Sequence, residues 1–151
     1  MKNFVFLLLI LAGTTVSYSQ DKFCDPALQE EVNNYPMKDG AVWLKDFVIE
    51  LDAAGPDMKP PEQRYTMVLT ADNNYRFAIK SSNKFDGKAK LTIFDDNTEL
   101  KSTAYQYGKI PEFLDIEIKE TKGYHIIVSF QDGKKGCAAF AIFFVKNQIT
   151  P

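Results

Sequence analysis

The chain has few residues suited to catalysis, and its single histidine is the first of them. His125 alternates with Tyr124 and Ile126, so we expect its side chain on the wetter face of a strand. One histidine cannot supply a two-histidine zinc site, and it would be the only available base for a Ser-His-Asp triad. A cysteine nucleophile needs a free thiol beside a base, whereas Cys137 is predicted to be buried. Histidine-based and cysteine-based catalysis are therefore disfavoured.

Paired acids are the next candidates for chemistry. Asp95, Asp96 and Asn97 group oxygen ligands as calcium loops do, but they lack the ligand spacing and distal glutamate of an EF-hand. Asp and Asn are also common in tight turns. Asp115 and Glu117 project from one face of one strand, while glycoside hydrolysis requires two carboxylates facing each other across a cleft. We therefore predict no cofactor and no catalytic residue, with calcium at the first cluster as an alternative.

Exposed aromatic side chains offer a different chemistry, that of ligand binding. Tyr105 and Tyr107 have Tyr-x-Tyr spacing in a polar stretch, so both rings should face the same way. Two such rings can stack on a sugar or contact a partner peptide, although they can also pack over the edge of a sandwich. Trp43 is a third candidate, but its strand favours burial. These three residues form the hypothetical ligand-binding site.

The elements that position these residues are strands, because apolar and polar residues alternate through most of the chain. The alternating runs lie at residues 64–70, 74–80, 88–93, 114–119 and 124–130. Residues 42–51 are apolar on both faces at their start and residues 138–145 are apolar throughout, which predicts two central strands. The turn at 71–74 predicts a hairpin between its flanking runs. The fold class predicted is an all-β, antiparallel β-sandwich, jelly-roll-like, with seven to eight strands.

The N-terminal residues predict export. A short positive start at Lys2 precedes an apolar run from Phe4 to Ala12, and small residues follow at the positions that a signal peptidase inspects. The run is too short to span a bilayer. We expect residues 1–19 to be a cleaved signal peptide and residues 20–151 to form one β-sandwich domain. The mature protein would then reside in the periplasm or at the cell surface.

Two cysteines in an exported chain favour a disulfide between Cys24 and Cys137. Such a bridge closes a long loop, which the chain-entropy model values at about 4–5 kcal/mol. Two free thiols are the alternative. A lipid anchor on Cys24 is disfavoured because the charged stretch 20–23 precedes it. Asp25 and Pro26 suit the cap and first position of a short helix.

Charge and hydropathy restrict the class of partner. The chain has 18 basic and 20 acidic side chains, and no basic run is longer than Lys134-Lys135. Nucleic-acid binding needs a concentrated positive face. No stretch after the signal approaches the ~20 apolar residues of a spanning helix. We therefore expect an envelope protein or a glycan as partner, and we leave the oligomeric state open.

Three strand motifs resemble a known family. The stretches YRFAIKSS, KAKLTIFDD and KGYHIIVSF, followed by a closing apolar strand, look like the bacterial pre-peptidase C-terminal type of β-sandwich. The resemblance covers residues 64–145 and implies an all-β sandwich. Domains of that family accompany a secreted catalytic domain, which we do not expect in this chain. The resemblance is therefore carried over to the fold alone.

The predicted function is that of an exported, non-enzymatic binding or accessory module, a protein-interaction subunit of the bacterial cell envelope. The alternative is a carbohydrate-binding module that uses Tyr105 and Tyr107, and a small secreted hydrolase ranks third. The accessory hypothesis predicts an exposed apolar edge that a partner covers. Residues 110–113 and the C-terminal strand are the candidates for that edge.

Overall fold

The structure is a computed structural model that describes residues 24–34, 40–96, 98–103 and 113–145. Within these ranges no helix has the length and apolar character needed to cross a bilayer. The elements are α1 (Pro26–Asn34), β1 (Val42–Leu51), β2 (Glu62–Leu69), β3 (Asn73–Ser81), β4 (Ala89–Asp95), β5 (Thr98–Ser102), β6 (Phe113–Ile118), β7 (Lys122–Phe130) and β8 (Gly136–Val145), with a 3-10 turn at Gln131–Gly133.

The strands form two four-stranded antiparallel sheets. Sheet A has the order β1-β8-β3-β6 and sheet B the order β2-β7-β4-β5. This is the strand order of a jelly roll, in which successive strands alternate between the sheets. Only β4 and β5 are both consecutive and paired; each of the other connections joins a strand of one sheet to a strand of the other. The predicted all-β, antiparallel sandwich is confirmed.

The predicted hairpin between β2 and β3 is wrong. β2 pairs with β7 along its whole length, and β3 pairs with β6 and β8. The turn itself is present, and Asp72 adopts the left-handed conformation at its centre, with a φ of 60°. Aspartate tolerates that conformation in both kinds of turn. Local sequence therefore locates the turn without showing that it changes sheets.

β8 is an interior strand of sheet A and is buried on both faces. Phe140 and Ile142 point into the core between the sheets, while Ala141 and Phe143 point to the outer face of sheet A. All four side chains are fully buried. The prediction of a central strand at 138–145 is confirmed, because a strand covered on both faces has no polar side.

Helix α1 provides the cover for the outer face of sheet A. Asp25 Oδ1 accepts a hydrogen bond from the Ala27 N–H at 3.0 Å, and so caps the helix as its sequence predicts. Leu28 and Val32 are buried in the cluster that includes Phe143. The predicted disulfide joins Cys24 to Cys137, with the two Cα atoms 5.5 Å apart. The bridge fixes the start of the helix to β8.

Candidate functional site

The most unusual surface of the described part of the chain lies on β1. Four large apolar side chains of this one strand are exposed by 42–48%. We call them the β1 patch: Val42, Trp43, Leu44 and Val48. Single exposed apolar residues are ordinary, but several of them on one terminal strand are typical of an interaction surface. The β1 patch is therefore the candidate functional site.

Two residues of the β1 patch, Trp43 and Val48, are exposed because α1 covers only part of sheet A. Trp43 lies opposite Phe143 in the β1–β8 register, and Val48 lies opposite Ala139. Opposed residues of an antiparallel pair share a face, so Trp43 and Val48 are on the outer face of sheet A. The helix covers β8 on that face and leaves the margin formed by β1 open. Phe143 is consequently buried, whereas Trp43 is 45% exposed.

The position of β1 corrects two predictions. The sequence predicted a central strand at 42–51 and a buried Trp43, but β1 is the terminal strand of sheet A. Its inner residues Phe47, Ile49 and Leu51 pack into the core, as the pattern requires. Its outer face carries the exposed apolar residues Trp43 and Val48 together with Asp46 and Glu50. A terminal strand that is apolar on both faces at its start therefore has a sequence pattern similar to that of a central strand.

The free edge of β1 is divided into two parts by a β-bulge. The register against β8 shifts between Trp43 and Lys45, and Leu44 has no partner in the ladder. From Lys45 to Leu51 the pairing is continuous. A bulge disrupts further pairing locally, so the regular part of the edge begins after it.

Two carboxylates lie beside the patch on the same outer face. Asp46 Oδ2 accepts hydrogen bonds from Gln29 Nε2 at 2.5 Å and Asn33 Nδ2 at 2.9 Å. Glu50 Oε1 accepts one from the Cys24 N–H at 2.9 Å. These donors are neutral, so they orient the carboxylates without offsetting their charge. The exposed margin of sheet A therefore alternates apolar and acidic side chains.

At the β1–β2 edge the interior of the sandwich is closed by aromatic rings. Phe47 lies 4.3 Å from Tyr65 and 4.7 Å from Phe140, measured between ring centroids. Burial raises the pKa of the Tyr65 hydroxyl above its ordinary value. These ring contacts fill the space between the sheets at this edge, which leaves the outer surface of β1 as the candidate binding face.

The opposite edge, between β5 and β6, opens into a cleft of about 540 Å³. Its floor is formed by buried core residues, among them Ile118 and Tyr124. At one end Lys122 Nζ lies 2.7 Å from Asp95 Oδ1 and 3.0 Å from Glu120 Oε2. These acceptors raise the pKa of Lys122 above its usual range. The described charges at this end of the cleft are thus paired with one another.

The predicted site residues do not form one site among the described residues. Trp43 belongs to the β1 patch, while Tyr105, Tyr107 and Asn97 lie outside the described residues. Asp95 faces Lys122, and Asp96 has a φ of 51° in the turn after β4. Among the described residues no three His, Cys, Asp or Glu side chains are grouped as a metal site requires. The calcium alternative therefore gains no support from Asp95 and Asp96.

The acids considered for hydrolysis lie on the exposed face of β6. Asp115 pairs with Arg76 through two hydrogen bonds of 2.7 and 2.8 Å, and Glu117 pairs with Lys119. Both acids point to the same face of one strand, as predicted, rather than toward each other across a cleft. His125 lies on the outer face of sheet B, where its Nδ1 is 3.0 Å from Thr66 Oγ1. Within the described ranges, none of these three residues is assembled with a second group for acid–base chemistry.

The exposed apolar edge predicted at the C-terminal strand is wrong. β8 is central and buried as far as Phe143, because α1 and both neighbouring strands cover it. Residues 110–112 lie outside the described residues, and Phe113 is exposed, with the Arg76 guanidinium 4.6 Å from its ring centroid. The sequence did not predict the exposed apolar residues of β1.

Comparison with known proteins identifies a fold but no family. No protein family matches the chain, and no curated protein is similar to it in sequence. Among solved structures it resembles the periplasmic inhibitor of g-type lysozyme, PliG, from Aeromonas hydrophila. The two share 13% sequence identity, with a TM-score of 0.50 over 70% of this chain and 88% of the inhibitor. The likeness concerns the fold alone, and the resemblance to the pre-peptidase sandwich stays a prediction.

Proposed function

We propose that this protein is an exported, non-enzymatic module that binds another protein of the cell envelope through the β1 patch. The observation that carries the proposal is the exposure of Trp43 and its apolar neighbours on the terminal strand of sheet A. Removing such side chains from water drives association. The disulfide and the N-terminal signal pattern support export to an oxidising compartment.

We propose a secreted lysozyme as the partner. The Aeromonas hydrophila protein that this chain resembles is an inhibitor of g-type lysozyme, so a sandwich of similar fold can serve as an enzyme inhibitor. We extend that role to this chain as the finer form of the proposal. The purified protein should slow the clearing of a peptidoglycan suspension by g-type lysozyme, and Trp43→Arg should abolish the effect. Unchanged clearing by the wild-type protein rejects the lysozyme but leaves protein binding in place.

Affinity capture tests the broader proposal. The native protein is recovered from gently solubilised envelope beside two variants, Trp43→Arg and Val68→Arg. Val68 is 72% exposed on sheet B, so its variant introduces the same charge on a surface that the proposal does not use. A partner recovered in stoichiometric amount by the wild type and Val68→Arg, but not by Trp43→Arg, supports the proposal. Equal recovery with all three rejects the β1 patch as the binding surface.

A carbohydrate-binding module remains the second candidate, because the exposed Trp43 can stack on a sugar as well as on a protein. This candidate requires Tyr105 and Tyr107 as well. It predicts glycan binding that is lost in Tyr105→Ala, whereas the protein-binding proposal predicts that partner capture survives that substitution.

A further inference from the structure

The geometry of β1 points to strand addition: we infer that the partner binds by pairing an extended segment with the free edge of β1, and that this segment carries basic residues on its outer face. The inference rests on the proposed function, since it specifies how a protein partner uses the β1 patch. It adds the binding mode and the chemistry of the partner.

The backbone of β1 offers a template for another strand. β1 is the terminal strand of sheet A, and its register against β8 is unbroken from Lys45 to Leu51. In such a strand alternate N–H and C=O groups point away from the sheet and can pair with an added strand. The bulge that blunts the edge is confined to the start, between Trp43 and Lys45. The regular part of the edge is long enough for a short added strand.

The charges beside this edge select the partner. Neighbouring side chains on one face of paired strands lie about 4.5–5.5 Å apart, so opposite charges attract and like charges destabilise the pairing. Asp46 and Glu50 lie on the outer face, opposite Ala141 and Cys137. Neutral groups donate to both carboxylates, and no cation among the described residues pairs with Asp46. Lys135 lines the same small pocket as Glu50 and pairs with Asp52 at 3.1 Å. A basic residue beside Asp46 is the strongest requirement.

The apolar residues set the rest of the pattern. Trp43 and Val48 flank Asp46 on the outer face, so a complementary segment presents apolar, basic and apolar side chains in turn. Lys45 does not alter this pattern, because it points to the inner face and its Nζ lies 5.0 Å from the Phe47 ring centroid. A second copy of this chain fits poorly, since the outer face of β1 carries no basic residue in any register. A cationic extended segment of another protein is the occupant that the surface favours.

Synthetic peptides test the inference directly, because Trp43 is the only tryptophan and reports on the patch. The first probe is an end-capped peptide of sequence Thr-Lys-Thr-Val-Thr-Lys-Thr-Val-Thr; the second has glutamate at both lysines. We expect a blue shift of Trp43 emission with the lysine peptide and binding at least about tenfold tighter than that of the glutamate peptide. The preference should shrink in Asp46→Asn, which keeps the helix contacts, and persist in Asp52→Asn, a matched exposed acid.

Backbone methylation distinguishes strand addition from side-chain docking. An added strand uses the N–H groups of alternate residues. N-methylation of the peptide can be placed at the odd or at the even residues, and it should abolish binding in one of these two phases and spare it in the other. Equal loss in both phases, equal binding of the lysine and glutamate peptides, or no shift with any peptide would overturn the inference. If capture of the envelope partner still depends on Trp43, the proposed function stands and only the binding mode is wrong.

Discussion

Trp43 and Phe143 lie opposite each other on the same face of sheet A, yet Phe143 is fully buried and Trp43 is 45% exposed. The difference is produced by α1, which covers β8 and ends its contacts at the Asp46 side chain of β1. One aromatic residue therefore belongs to the core, and its cross-strand neighbour is available to a partner. This relationship is the basis of the proposed function.

Trp43 and Phe143 should contribute very differently to the free energy of unfolding. Trp43→Ala should lower the free energy of unfolding by less than about 1 kcal/mol, because the side chain is already half in water. Phe143→Ala should lower it by about 3–5 kcal/mol, because the substitution leaves a cavity beneath α1. Urea unfolding followed by circular dichroism measures both. Comparable losses would mean that Trp43 is a core residue and would remove the binding surface.

The disulfide should contribute strongly to stability. Replacing Cys24 and Cys137 together by alanine should lower the free energy of unfolding by about 2–5 kcal/mol, because the bridge restricts the unfolded chain. Unfolding with and without reductant provides the control: reductant should destabilise the wild type and leave the double variant unchanged. A wild type insensitive to reductant under unfolding conditions would contradict the bridge.

The Arg76–Asp115 pair should require arginine rather than any positive charge. Arg76 makes two hydrogen bonds to Asp115 and lies over the Phe113 ring, and its side chain is only 11% exposed. Lysine cannot reproduce the planar fork, so Arg76→Lys should cost about 1 kcal/mol of stability. Lys119→Ala is the matched control, since its pair with Glu117 is exposed and should contribute little. Equal unfolding midpoints for Arg76→Lys and the wild type would contradict this role.

The cap of α1 should make stability depend on pH in the acid range. The Ala27 N–H, and then Lys84, lower the pKa of Asp25, so the ionised cap stabilises the folded state above the ordinary pKa of aspartate. That contribution is lost as the pH falls through the lowered pKa. Asp25→Asn keeps a cap but cannot ionise, so the wild type should exceed it in stability at pH 7 and lose that advantage below about pH 4. Thermal unfolding across pH measures the difference, and a constant gap at all pH values would exclude this titration as its cause.

The sequence predicted the sandwich well because alternation reports which residues face a core. The strands around Phe77, Ile116 and Ile126 and the capped helix follow from local patterns, whereas the disulfide follows from the presence of two cysteines in a chain predicted to be exported. The assignment of strands to the two sheets could not be predicted in this way. The turn at Asp72 has the same residues whether it joins two paired strands or connects one sheet to the other. β5 was not among the runs that alternation marked, since its exposed edge position leaves Leu100 as its one apolar residue.

The candidate site was harder to predict than the fold. A strand with apolar residues on both faces is expected to have both faces covered in the functional state. The pattern does not show whether a helix of the same chain or a partner covers each face. The sequence therefore assigned β1 and β8 the same role, although only β8 is covered by α1. Trp43 was named as a candidate, but its exposure depends on where a helix encoded 9 to 17 residues earlier happens to end.

The most direct measurement is site-specific photocrosslinking in the native cell envelope. A photoreactive phenylalanine analogue replaces Trp43 in one strain and Val68, an exposed residue of sheet B, in another. We predict one discrete protein adduct after irradiation with the probe at position 43 and none with the probe at position 68. No adduct at position 43, or the same adducts at both positions, would contradict binding through the β1 patch.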